Sequence, residues 1–245
     1  MIHLISHLLV AYVVLVEPWL GHRLYNRLKA QVAAGVADAK VRFYRTVAWH
    51  QLIAIALVVA IWRMGRIPAK TLGFCVPTSW QFLFPFLAGF VLAVGVVMLL
   101  LRKRSTRNLQ TMVKTVGALL PISKSERSWF AWISVGAGIS EEMVFRGFLL
   151  YYIAVNLPGL GILLRVALAS LVFGLCHFYQ GWRGVLGTAI LGAIFASLFV
   201  ATGSLLLPAV LHALFDLRIL LIFTPNRLHA LEAEAAMQPA QGATL

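Results

Sequence analysis

Glutamate, arginine, histidine and aspartate stand in this chain at positions where an apolar sequence should hold none. The run Ile139-Ser140-Glu141-Glu142-Met143-Val144-Phe145-Arg146-Gly147 sets two carboxylates and a guanidinium in one of the most apolar regions of the chain. Asp and Glu together total 8 in 245 residues, so two side by side are conspicuous. His177 follows in a later apolar run, and His212 and Asp216 in the last one. A charge inside a bilayer costs several kcal/mol (~3 or more) unless it is paired or wet, so each such residue marks a functional site by default.

Helix geometry sorts these groups. Residues four apart share a face, which makes Glu142 and Arg146 an ion pair. Glu141 is turned about 100° from Glu142 and has no partner in its own helix, so it is the carboxylate left for chemistry. His177 follows Phe173 by four, which lets a ring pack beside the imidazole, and His212 and Asp216 face the same way. Converged, Glu141, His177, His212 and Asp216 supply what peptide hydrolysis needs. A carboxylate takes a proton from water, one histidine orients that water, and another donates to a developing oxyanion. The donors Glu141, His177 and His212 also suit zinc, which lowers the pKa of bound water to about 7. The sequence leaves both open, so no cofactor is certain and zinc is the candidate. Singly, an intramembrane histidine or a Glu–Arg pair is more often a helix–helix contact. Clustered between Glu141 and Asp216, a purely structural account of them is the weaker one. Cys176 as a nucleophile is weaker still, since adjacent residues point about 100° apart and free cysteine is commonly buried.

The elements that must carry these residues are membrane helices. The chain is 61% hydrophobic and 12% charged, with a mean hydropathy of +0.88. Lipid admits only helices or closed barrels, and the short alternating strands of a barrel are missing. The fold class expected is therefore all-α: a polytopic integral membrane protein of about seven transmembrane helices, with the catalytic helices in the C-terminal half. The net charge of +13 sits in loops between apolar runs, as the positive-inside rule requires, and does not indicate nucleic acid. Cys75 in a loop and Cys176 in an apolar run make a structural disulfide improbable. The N-terminal run lacks a basic leader and a small-residue cleavage site and reads as a retained first helix.

In order, the first span runs from Met1 to about Val16 and closes at Glu17-Pro18-Trp19, with Glu17 solvated at the interface. Gly21–Thr46 reads as a basic loop, part of it a helix lying on the membrane through Leu24, Leu28, Val32 and Val36. Val47–Trp62 is the second span, with His50 interfacial rather than a ligand. Trp80–Leu101 is the third, uncharged over 22 residues. In the loop Arg102–Ser128, Leu109, Met112, Val113, Val116 and Leu120 share a face and suggest a second interfacial helix. Trp129–Val155, Leu160–Phe178, Val185–Ala201 and Leu205–Phe223 complete the seven, with Gln180–Gly184 a tight loop. Residues 1–128 form an accessory part, 129–223 the catalytic core and 224–245 a disordered tail. The two heavier basic loops, Gly21–Thr46 and Arg102–Ser128, should be cytoplasmic, which puts the N-terminus outside the cell membrane and the C-terminus inside.

Four ordered stretches carry a family resemblance. Glu141-Glu142-Met143-Val144-Phe145-Arg146-Gly147 resembles EExxxR(G), and Phe173-Gly174-Leu175-Cys176-His177 resembles FxxxH. Thr202-Gly203-Ser204-Leu205 through Pro208 to His212 resembles a TGSL…P…H run, and His212-Ala213-Leu214-Phe215-Asp216 resembles the closing Hxxx(N/D). The pattern, over about Trp129–Phe223, is similar to the CPBP (CAAX protease, bacteriocin-processing, Abi) family of intramembrane proteases. The resemblance implies Glu141 as the base that activates water, His177 as its partner, and Glu142 and Arg146 as the pair that holds the site together. It implies His212 and Asp216 at the oxyanion-stabilising or fourth-ligand end, and a site open to the cytosol through a cavity between helices. Asp216 stands where the eukaryotic and archaeal CAAX proteases have Asn; an ionised Asp accepts but cannot donate to an oxyanion. The expected function is endopeptidase cleavage of a membrane-associated or secreted peptide or protein, with that substrate and the lipid bilayer as partners and no nucleic acid. The alternative is a non-catalytic scaffold or immunity protein of the same fold. A proton-relaying transporter ranks last, because the first three spans add no intramembrane charge.

Overall fold

The computed structural model describes residues 2–77 and 115–224, together with positions 84, 85, 88, 89, 92, 95 and 113. Among the described residues there are six long helices and no strand. Helix α1 is Ile2–Ala33 and α2 is Ala39–Met64. Helix α3 starts as Lys124–Glu142, widens into a π-helical stretch at Met143–Leu149 and ends as Leu150–Asn156. Helices α4 (Ile162–Cys176), α5 (Gly181–Thr202) and α6 (Leu206–Ile222) follow. The helices of the C-terminal half pack as α3 on α6 and α4 on α5, and α2 packs along α3.

Three helices, Ile2–Ala33, Ala39–Met64 and Phe178–Thr202, are long and apolar enough to cross a membrane, and Ile162–Cys176 is apolar but shorter. Seven spans are therefore not confirmed. The third expected span, Trp80–Leu101, lies almost wholly outside the described residues, as does the tail beyond Thr224.

The first half departs from its sequence reading. Glu17-Pro18 does not end the first helix. Pro18 lacks an N–H, and the turn before it, Tyr12–Val16, widens to π geometry so that the helix continues to Ala33. Gly21–Thr46 is thus not a loop: helix resumes at Ala39, and the Leu28 side reading as a surface stripe is buried with Tyr25 and Ala39. The other expected interfacial helix also turns inward. Leu109 and Met112 lie outside the described residues, but Leu120 is buried against Ile222 and Phe223 with Val113 beside it.

Two sets of end contacts fix the bundle. At one end, Lys40 Nζ donates to Leu120 O at 2.7 Å, Tyr25 Oη to Thr115 O at 2.6 Å, and Arg127 to the free carbonyls of Leu220 and Phe223 that end α6. There α3 begins with a capping box between Ser123 and Glu126. At the other end the α5–α6 turn is bound by the 69–75 segment, with Leu205 N donating to Gly73 O at 3.0 Å and Ser204 Oγ to Cys75 O.

Helix α4 stops inside the bundle. Its C-terminus continues into a single 3₁₀ turn, Phe178–Gln180, and α5 starts at once at Gly181 with φ +74°, a left-handed value that suits glycine. The rings of Phe178 and Tyr179 meet His22 and Tyr25 of α1. At 1.5 Å per residue those partners lie roughly 12–16 Å before the end of α1. The expected tight loop is therefore shorter than predicted and packs beside the middle of α1 rather than at its end.

Candidate active site

Glycines let the site helices close on one another. A Cβ on Gly138 would sit 2.5 Å from Ala209 O, so α3 and α6 touch backbone to backbone one turn before Glu142. A Cβ on Gly174 would sit 2.6 Å from Val185 O, which does the same for α4 and α5 one turn before His177. Small residues at such crossings allow polar side chains a turn away to meet across helices.

Glu142 is fully buried, and Arg146 is 1% exposed. Arg146 Nη1 donates to Glu142 Oε1 at 2.8 Å and Nη2 to Gly192 O at 3.1 Å. The guanidinium lies over Phe173 at 4.4 Å, with Phe195 at 5.6 Å and Phe145 at 6.0 Å. A buried guanidinium is tolerable only with its charge paired and its donors used, and here a carboxylate, a carbonyl and ring faces do so. The same Glu142 Oε1 accepts from His212 Nδ1 at 2.8 Å, so one carboxylate ties α3 to α6 as well as to its own helix. The Phe195 ring stacks on His212 at 5.3 Å.

His177 is the residue that caps α4 rather than a residue within the span. Its Nδ1 lies 2.8 Å from Phe173 O. A carbonyl can only accept, so Nδ1 carries the proton, and the ring in its neutral form presents a lone pair at Nε2. The Phe173 ring packs against it at 4.8 Å, as the four-residue spacing predicts. Nε2 stands 3.9 Å from Glu141 Oε2. Glu141 Oε2 is in turn 3.8 Å from His212 Nε2, and His212 Nε2 is 3.8 Å from Asp216 Oδ2. These separations are too long for direct hydrogen bonds. Glu141 Oε2 is shielded and has no hydrogen-bond partner, and the same holds for Glu142 Oε2. Glu141 and Asp216 keep 29% and 35% of their side chains exposed, unlike the closed Glu142–Arg146 pair. The structure thus brings together all six residues singled out by the sequence.

Residues 124–218 match the family model described as type II CAAX prenyl endopeptidase Rce1-like. This segment is a CAAX-protease family domain. Its matched range contains Glu141, Glu142, Arg146, His177, His212 and Asp216, and the family is one of membrane proteases. No curated protein and no solved structure matches the chain.

The CAAX-protease domain uses residues that the sequence reading passed over. Gly192 supplies a carbonyl to Arg146, and Phe195 supplies a face to both Arg146 and His212. Neither has a sequence signal beyond lying in a Gly- and Ala-rich helix. Cys176 points away from the cluster, with Sγ 3.4 Å from Val13 O of α1, and both cysteines are free thiols. His50 is not a member of the site; it meets Tyr12 Oη at 3.2 Å.

The donor set also allows a test of zinc. Tetrahedral zinc with bonds of about 2.0–2.1 Å places its ligand atoms roughly 3.3 Å apart. Glu141 Oε2 stands 3.8–3.9 Å from the two histidine nitrogens. Among the described residues no group of three or more His, Cys, Asp or Glu is arranged to hold a metal ion. As placed, the donors are wider than zinc requires.

Proposed function

We propose that this protein is an intramembrane endopeptidase in which Glu141 and His177 activate water for attack on a peptide bond. The observation that carries the reading is the shielded, unpartnered Oε2 of Glu141, held 3.9 Å from a lone-pair nitrogen of His177. Two acceptors at that separation are bridged by a molecule with two donor hydrogens, and water is the smallest. Water between them gives one proton to Glu141 while its oxygen attacks the carbonyl carbon. The C–N bond of the tetrahedral intermediate then breaks as Glu141 returns the proton to the leaving amine.

His212, with Nδ1 bound to Glu142 and Nε2 facing Glu141 and Asp216, is the group placed to donate from Nε2 to the oxyanion when doubly protonated. Asp216 as a carboxylate favours that protonated ring and accepts rather than donates. Glu142 and Arg146 hold α3, α5 and α6 in register. The substrate is a membrane-associated or secreted peptide or protein reaching the site from the membrane or from the end of the bundle that holds Lys40. We assign that end to the cytosol and the protein to the cell membrane, with the N-terminus outside. The packing of the 177–181 turn against the middle of α1, short of its end, supports entry of water and substrate there.

The test is to compare protein termini by mass spectrometry in membranes from cells carrying the wild type and Glu141→Gln. Termini made only by the wild type are expected. Identical termini at equal abundance of both proteins would favour the non-catalytic scaffold. Loss of cleavage in chelator, restored by Zn²⁺, would require the three donors to close around a metal.

A further inference from the structure

Glu17, expected to be solvated at an interface where the first helix ends, instead has helix on both sides of it. It sits near the middle of α1, immediately after the π-helical turn Tyr12–Val16, and is partly buried. Four residues before it, Val13 O meets Cys176 Sγ at 3.4 Å. Four residues after it, a Cβ on Gly21 would lie 3.7 Å from Cys176 O and 3.9 Å from the Tyr179 ring. Residues four apart lie on one face, so Glu17 lies between two points of α1 that touch the end of α4, beside His177. The contacts of His22 with Phe178 and Tyr25 with Tyr179 continue the same seam.

Among the described residues no cation lies within 4 Å of Glu17. The guanidinium nearest the cluster, Arg146, is already committed to Glu142, Gly192 and three rings. A partly exposed carboxylate on this face, with the neutral Tyr12 hydroxyl as its side-chain hydrogen-bond neighbour and no such cation among the described residues, keeps its charge for a cationic partner. The face that Glu17 shares is the wall of the site, so the partner that arrives there is substrate.

We propose that Glu17 is a specificity-determining residue that selects peptides carrying a positive charge, a lysine or arginine side chain or a free amine, within a few residues of the bond cleaved. This rests on the endopeptidase reading above. Glu17 forms part of the binding wall and takes no part in bond making. Its effect therefore falls on KM rather than kcat.

The experiment uses the full-length protein in nanodiscs and a proteome-derived peptide mixture. Cleavage sites are read by mass spectrometry for the wild type, Glu17→Gln, Glu17→Asp and Glu17→Lys. The wild type and Glu17→Asp should favour Lys or Arg near the cut bond by about five-fold, the range of a partly exposed ion pair. Glu17→Gln should lose the preference and Glu17→Lys should shift it toward Asp and Glu. Where peptides are cut, the same charge profile in wild type and Glu17→Gln, or no charge preference in either, overturns the proposal. Binding is measured in parallel, using one fluorescent peptide made with Lys, Gln or Glu at a single position. Tighter binding of the Lys peptide, lost in Glu17→Gln, supports the proposal even if no peptide is cut, in which case it is the protease reading that fails. Equal binding of all three peptides by the wild type overturns the Glu17 assignment whether or not cleavage occurs.

Discussion

At the scale of single residues, the two neighbouring glutamates do opposite work because one helical step separates their surroundings. Glu142 is closed in, with Arg146 and His212 sharing its Oε1 at 2.8 Å each. Each glutamate keeps a shielded Oε2 without a hydrogen-bond partner, but that of Glu141 lies 3.8–3.9 Å from the ring nitrogens of His177 and His212. The pair therefore separates in mutation. Glu141→Gln should lower cleavage by roughly 10²–10⁴-fold while leaving thermal stability in detergent near that of the wild type, because a base is lost and no charge is stranded. Glu142→Gln should instead destabilise by about 3–5 kcal/mol, since it leaves the Arg146 guanidinium buried without its counter-charge. Thermal unfolding of both proteins checks this, and a Glu142→Gln variant as stable as the wild type would remove the ion pair from the account. His177→Ala should resemble Glu141→Gln, with activity falling at unchanged expression.

At the scale of elements, two glycines and two widened turns set the distances that the chemistry uses. Gly138 brings α3 against the backbone of α6, and that approach is what lets Glu142 on one helix reach His212 on the other. Gly138→Val should cost about 1–3 kcal/mol by overpacking and should abolish cleavage as well, since separating the helices breaks the Glu142–His212 bond. Cleavage at the wild-type rate by that variant would mean the close approach is dispensable. The π-helical stretch Met143–Leu149 lies wholly in the interior, with all seven residues buried. Such stretches recur at functional sites. Here it carries Arg146 toward Gly192 and the Phe173 ring. The π turn before Pro18 has the same effect in α1, keeping the helix running and delivering Glu17 to the wall of the site.

At the scale of the whole molecule, the bundle has two chemically distinct ends. One gathers Lys40, Arg127 and the 115–124 segment; the other gathers the 69–75 segment and the α5–α6 turn. The site lies between them, beside the short 177–181 turn, and our proposal has it approached from the end that holds Lys40. Our assignment of that end to the cytosol predicts an outcome for cysteine labelling in a background without Cys75 and Cys176. Ala34→Cys should react with a membrane-impermeant maleimide only after cells are opened, and Gly159→Cys should react in intact cells. Labelling of Ala34→Cys in intact cells would invert the topology.

Much of the site was legible in the sequence because lipid makes charge conspicuous. With 8 acids in 245 residues, Glu141, Glu142 and Asp216 stand out without any structure, and four-residue spacing correctly pairs Glu142 with Arg146 and Phe173 with His177. That rule works because helical neighbours are fixed by local geometry. Local geometry cannot give distances between helices, so the His212–Glu142 bond and the 3.8–3.9 Å gaps around Glu141 Oε2 are decided by tertiary packing at Gly138 and Gly174. Nor does it show where a helix widens instead of ending. Glu17-Pro18 reads locally as a stop, because proline removes one backbone donor. The fold absorbs that loss in a π turn packed against α4, and a residue that looked solvated becomes part of the wall. The sequence by itself determined which residues are out of place in a membrane. Only the tertiary structure decided which of them are closed in, as Glu142 and Arg146 are, and which keep part of their side chains exposed, as Glu141 and Asp216 do.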